Sequence, residues 1–207
     1  MKNLLFASLL MLGVQVVQAQ FFSLGIKGGI HTQVNSPGEI FVGTGDQAFK
    51  LAVDKREFGT QFGAFLRLGG GIFVQPELLF NSNKVDYVIG ESSVSQVIKN
   101  EKYQYLDMPL LLGVKFGPLR VVGGPVGHRF LHSRSELSDI DGYEAKFKTM
   151  TWGFQTGLNL GLGRFSIDAR YEGNFNKQGN HINFNGTQYN FDHSPSRFIV
   201  GLNLAII

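Results

Sequence analysis

From Phe22 onward the chain switches side-chain polarity residue by residue in eight separate stretches, and this period of two marks strands rather than helices. In the first stretch Phe22, Leu24, Ile26, Gly28 and Ile30 share a face, opposed by Ser23, Gly25, Lys27, Gly29 and His31. The second sets Phe58, Thr60, Phe62, Ala64, Leu66 and Leu68 against Gly59, Gln61, Gly63, Phe65 and Arg67. The third sets Ile72, Val74, Pro76, Leu78 and Phe80 against Phe73, Gln75, Glu77, Leu79 and Asn81. In the fourth, Leu106, Met108, Leu110, Leu112, Val114 and Phe116 oppose Tyr105, Asp107, Pro109, Leu111, Gly113 and Lys115. The fifth, Leu119 to Leu131, holds Val121-Val122-Gly123-Gly124-Pro125 and fits either phase. Trp152, Phe154, Thr156, Leu158 and Leu160 form the apolar face of the sixth, against Thr151, Gly153, Gln155, Gly157 and Asn159. The seventh pits Phe165, Ile167, Ala169, Tyr171 and Phe175 against Ser166, Asp168, Arg170, Glu172 and Asn174, and the eighth Phe198, Val200, Leu202, Leu204 and Ile206 against Arg197, Ile199, Gly201, Asn203 and Ala205.

Alternation alone fits a soluble sandwich as well as a membrane barrel, because any half-buried antiparallel strand has one apolar face. The connections discriminate. Short Gly-rich links at 69–71, 117–118 and 161–163 interleave with long polar ones near 32–57, 82–102, 132–146 and 176–195. Short turns at one end, long loops at the other and strands of about ten residues are the pattern of an eight-stranded antiparallel transmembrane β-barrel with periplasmic turns and extracellular loops. Both ends of the barrel domain then lie on the turn side. The alternative is a secreted lipocalin-like ligand carrier, apolar inside and polar outside. Against it, the greasy face carries the large side chains and glycine collects on the other, where a narrow lumen needs small residues.

Composition removes other classes. With 43% hydrophobic and 17% charged residues the chain is not a solvated disordered one, and with no Cys it is neither a disulfide scaffold nor a thiolate metal site. A net charge of +3 gives no case for nucleic acid. Residues 1–19 read as a signal peptide, with Lys2, an apolar run from Leu4 to Val17 and Val17-Gln18-Ala19 before the cleavage point, leaving residues 20–207 as the barrel domain.

Three segments, Phe22-Ser-Leu-Gly-Ile-Lys-Gly-Gly-Ile30, Phe73-Val-Gln-Pro-Glu-Leu-Leu-Phe80 and Tyr105-Leu-Asp-Met-Pro-Leu-Leu-Leu-Gly-Val-Lys-Phe-Gly117, together resemble the PorT-like outer-membrane β-barrel family of Bacteroidetes-type bacteria. The resemblance covers about residues 21–207 and implies an eight-stranded barrel in the outer membrane of a Gram-negative bacterium. One member of that family serves a type IX protein-secretion assembly, while most have no assigned activity. The chain departs from the common barrel ending, closing on Leu204-Ala205-Ile206-Ile207 where an aromatic residue is usual.

The polar face of the strands collects Lys27, Arg67, Lys115, Arg170 and Arg197 with Glu77, Asp107, Asp168 and Glu172. Inside an eight-stranded barrel there is room only for side chains, so these charges are expected to pair and plug the lumen, with Glu77 and Asp107 as the first arginine partners; a narrow ion path is the alternative. The five histidines, His31, His128, His132, His181 and His193, show no ligand spacing for zinc, and no metal or cofactor is expected. Ile182 to Phe191 alternates about Asn185-Gly186 and reads as a hairpin. His132-Ser133 and His193-Ser194 are neighbours that point to opposite faces, so neither makes a nucleophile and base, and no catalytic residue is assigned. Trp152, Tyr103, Phe22 and Tyr171 are candidates for the interfacial aromatic girdle. Leu110→Arg is expected to impair insertion, and Gln155→Arg on the opposite face to be milder. The expected role is structural or interactive at the cell surface, with outer-membrane lipid and a protein docked on the long loops as partners; a secretion component and a small pore are the alternatives.

Overall fold

The eight alternating stretches become eight antiparallel strands: β1 (Phe22–Gln33), β2 (Gly59–Gly69), β3 (Ile72–Glu91), β4 (Val94–Phe116), β5 (Leu119–Ser135), β6 (Met150–Leu162), β7 (Phe165–Asn174) and β8 (Ser196–Ala205). Each pairs with its neighbours in the order β3-β2-β1-β8-β7-β6-β5-β4, and β3 pairs with β4 to close the ring. The computed structural model describes residues 21–34, 40–42, 49–56, 58–91, 94–135, 143–145, 150–175, 182–184, 187–189 and 196–207; the signal-peptide reading, His181 and His193 lie outside them.

Three tight links join β2 to β3, β4 to β5 and β6 to β7 at one rim, and each contains a glycine at positive φ: Gly69 at 122°, Gly117 at 60° and Gly163 at 67°. A side chain at these angles is strained, so glycine is what lets the chain reverse in so few residues. The ladder between β1 and β8 runs from Gly25↔Ala205 to Gln33↔Arg197, which sets both ends of the described barrel at this same rim.

At the other rim the strands overrun the barrel. The stretch 82–102, expected as a loop, holds a paired extension of β3 and β4, in register from Ser82↔Gln104 to Ile89↔Val97 and shifted before Glu91↔Val94. Phe49–Arg56 pairs with the outer part of β3, and Ile40–Val42 pairs with Phe49–Arg56, within the expected loop 32–57. The hairpin expected around Asn185-Gly186 is present as Ile182–Phe184 against Thr187–Tyr189, with Tyr143–Ala145 added as a third strand.

Alternation sorts the side chains. Ile26, Ile30, Phe62, Leu78, Leu110, Leu112, Leu158, Leu202 and many others on the outward face are half or more exposed, an apolar belt far larger than a soluble protein leaves bare. Inward positions are tightly filled. A Cβ at Gly113 would collide with the Phe73 ring, and one at Gly201 with the Asp168 carboxylate, so small residues on the lumen face make room for the large ones opposite them on the neighbouring strand. The undetermined phase of β5 resolves with Val122, Val126 and His128 inward and Val121 and Leu131 outward. Tyr103, proposed for the girdle, is buried instead and packs against Tyr105 with ring centroids 6.4 Å apart. Tyr103 shares the parity of Tyr105 and the inward Asp107, so simple alternation along β4 turns it to the lumen side. The outer-face cluster nearest the loop rim is Phe154, Tyr171, Phe175 and Phe198, in contact at 5.6 to 6.1 Å, with exposed Trp152 close by in sequence.

Candidate functional site

The lumen is crossed by a buried polar network built from every barrel strand. In the half toward the turns, Lys27 Nζ lies 2.6 Å from Asp168 Oδ2 and 3.5 Å from Glu77 Oε2. Arg170 grips Glu77 with both terminal nitrogens, at 2.9 and 2.7 Å, and reaches Asp168 at 2.7 Å. Two cations thus meet two carboxylates, with the fork geometry that makes arginine pairs strong. Gln75 donates to Glu77 Oε1 at 2.6 Å and accepts from Arg67 Nε at 2.7 Å.

The half toward the loops centres on Arg197. Its Nη2 donates to Asp107 Oδ2 at 2.6 Å and to Glu172 Oε2 at 2.9 Å, and its Nε lies 2.7 Å from Glu172 Oε1. His128 Nδ1 donates to Asp107 Oδ1 at 2.7 Å, and Asn81 Nδ2 donates to Asp107 Oδ2, also at 2.7 Å. His31 Nε2 continues the chain to Asn81 Oδ1 at 3.1 Å. Gln155 joins the halves, accepting from Arg170 Nη1 at 3.1 Å and donating to Glu172 Oε2 at 2.7 Å.

Of the nine charges assigned from sequence, seven are brought together here: Lys27, Glu77, Asp107, Asp168, Arg170, Glu172 and Arg197, all buried. Four carboxylates therefore face three cations, with the His128 imidazole in the remaining place. Arg67 touches the network only through Gln75, its guanidinium lying 5.4 and 5.1 Å from the rings of Phe65 and Phe73. Lys115 stands apart, exposed at the turn rim. Sequence reasoning missed Gln75, Asn81, His128 and Gln155 as connectors; for His128 the phase of β5 was the missing signal.

Burial without water is costly for charge unless each ion is paired and hydrogen-bonded. Lys27, Arg170 and Arg197 meet that condition within the barrel. Asp107, His128 and Glu172 place ligand-type atoms within 4.8 Å of one another, a spacing that suits a metal ion. Arg197 already bridges both carboxylates of that group, which explains the convergence as an ion-pair knot. On the turn side of the network Phe73, Leu111 and Val122 pack as a buried apolar layer. Charge knot and apolar layer together occupy the described lumen.

A family comparison agrees with this architecture. The family model described as outer membrane protein beta-barrel domain matches residues 17–180. Among solved structures, outer membrane protein AlkL, determined by solid-state NMR in DMPC lipid bilayers, is 15% identical with a TM-score of 0.48, covering 90% of this chain and 91% of that one. The NanC porin is 8% identical with a TM-score of 0.30, covering 88% and 98%. No curated protein matches the sequence.

Proposed function

Because the chain belongs to the outer membrane protein beta-barrel domain family and lies in the outer membrane, we propose that it is a closed membrane anchor, carrying an extended β-sheet on the cell surface as an interaction platform. The observation that carries this reading is the filled lumen: its charges are spent on one another, and Phe73, Leu111 and Val122 pack beneath them as a buried apolar layer. A barrel that invests its interior in a plug offers its rims for function. The long rim is the larger, since β3 and β4 extend beyond the barrel and recruit Phe49–Arg56 and Ile40–Val42 beside them. In this reading the chain is not an enzyme, and its partners are outer-membrane lipid and a protein bound at the loops.

The test is conductance in planar bilayers. The refolded protein is expected to give no stepwise current, and Arg170→Ala or Asp107→Ala to leave an intact lipid seal or to open a leak for the first time. Discrete steps from the wild-type protein, altered by either substitution, would replace the anchor with the narrow pore. The resemblance of β1, β3 and β4 to the PorT-like family supports a second reading, membership of a type IX-like secretion assembly. There, deletion is expected to abolish secreted cargo while leaving other outer-membrane barrels in place.

A further inference from the structure

Below the apolar layer, at the turn rim, lies a cavity of about 150 Å³ lined by four cations from four different places in the chain: Arg67 of β2, Lys115 of β4, Arg120 of β5 and Arg164 of the turn between β6 and β7. No acidic residue lines it. The contrast with the lumen above is sharp. Lys27, Arg170 and Arg197 each hold carboxylates at 2.6 to 2.9 Å, whereas none of the four rim cations has a carboxylate within ion-pair distance among the described residues. Gathering like charges in one partly enclosed space is unfavourable until an anion enters.

The cavity is also built. Arg120 is held in place by Asn159, whose Oδ1 accepts from Nη1 at 2.6 Å. A Cβ at Gly161 would stand 2.8 Å from that same Nη1, so glycine there is what admits the guanidinium. Arg67 is fixed by Gln75 at 2.7 Å and by contact with the rings of Phe65 and Phe73. Arg67 and Arg120 thus each use one N–H on a neutral side-chain partner, are set in orientation, and keep the rest of the fork for a ligand. Behind them lies the apolar layer of Phe73, Leu111 and Val122, which offers an anion no partner deeper in the barrel.

We propose that this cavity is an oxyanion site on the periplasmic face of the barrel, taking one phosphate group. Its sidedness rests on the outer-membrane reading, in which short turns face the periplasm; its anion chemistry does not. The volume suits a compact phosphate with a short ester tail, and two planar arginine forks suit tetrahedral oxygens better than a halide. Two sources share that chemistry, a soluble phosphate or phosphate ester and the headgroup of an inner-leaflet phospholipid.

The experiment is an NMR titration of the refolded full chain in an uncharged maltoside detergent at constant ionic strength, following the amides of Gly69, Gly70, Gly71, Gly163, Arg164 and Phe165. One arm adds inorganic phosphate and the other short-chain phosphatidylglycerol, with chloride as the balancing anion. Saturable shifts in either arm are expected, and the arm that saturates identifies the source. Lys115→Gln with Arg120→Gln is expected to weaken binding at least tenfold, and Lys102→Gln at the far rim to leave it unchanged. Lys115→Gln alone, at an exposed position, serves if the double variant loses its fold, and is expected to weaken binding at least threefold. Overturning results are shifts that chloride reproduces, no saturation in either arm, or equal loss in Lys102→Gln. Labelling of Gly70→Cys on intact cells by a membrane-impermeant thiol reagent would separately refute the periplasmic placement.

Discussion

Arg197 holds two carboxylates from two other strands; the His128 imidazole also reaches both, and no other described lysine or arginine touches either. Removing it leaves Asp107 and Glu172 buried together with one imidazole, His128, as their shared partner. Arg197→Ala is therefore expected to cost about 3–5 kcal/mol, the range for breaking a buried ion pair from one side, read as a lower urea midpoint for the shift in gel mobility. Arg197→Lys, which keeps the charge but loses the fork, should recover part of that loss. Gln155→Arg was expected to be a mild change on the lumen face. Its amide instead accepts from Arg170 and donates to Glu172, so an arginine there meets Arg170 head-on and breaks the link between the two halves. That a charge lay on the inner face was readable from alternation. That Glu77 and Asp107 would meet arginines was readable too, and they do; which arginine each meets was not, because Arg170 and Arg197 reach partners 93 and 90 residues away along the chain.

For the strands, legibility followed solvent. Where one face meets lipid and the other the lumen, the period of two is sharp, and β1, β2, β6, β7 and β8 match the sequence reading closely in extent and phase. The outer halves of β3 and β4 are held by backbone pairing from Ser82↔Gln104 to Glu91↔Val94, a stretch that charges within it such as Lys84, Asp86, Lys99 and Glu101 made read as a loop. The phase of β5 was hidden by Gly123, Gly124 and Pro125, which carry too little side chain to betray a face. Strand phase is tested by paired arginine substitutions. Leu110→Arg, on the lipid face of β4, is expected to cost about 2–4 kcal/mol near the midplane and to abolish the folded band. Thr151→Arg, inward at the loop end of β6, should insert at close to wild-type yield, and equal tolerance of the two would refute the assigned faces.

As a whole the molecule is a ring of strands around its own charges, and in the outer-membrane fraction it is expected to run as a compact band that shifts on boiling; a band indifferent to heat would refute the closed barrel. The seam of that ring deserves a different description. β1 and β8 are ladder neighbours, and at the rim Leu24 N donates to Ile207 O at 3.1 Å while Ile206 N donates to Leu24 O at 2.8 Å. In terms of hydrogen bonds no strand is first or last, so a circular permutant that joins this seam through a short linker and opens in 136–142 keeps every barrel ladder. In the natural order the seam instead imposes a schedule: β1 has to wait, with one edge unpaired, until the last strand arrives, and that strand brings Arg197 with it. Cylinder and charge knot are completed by the same late event, which leaves a half-made chain unable to lock prematurely.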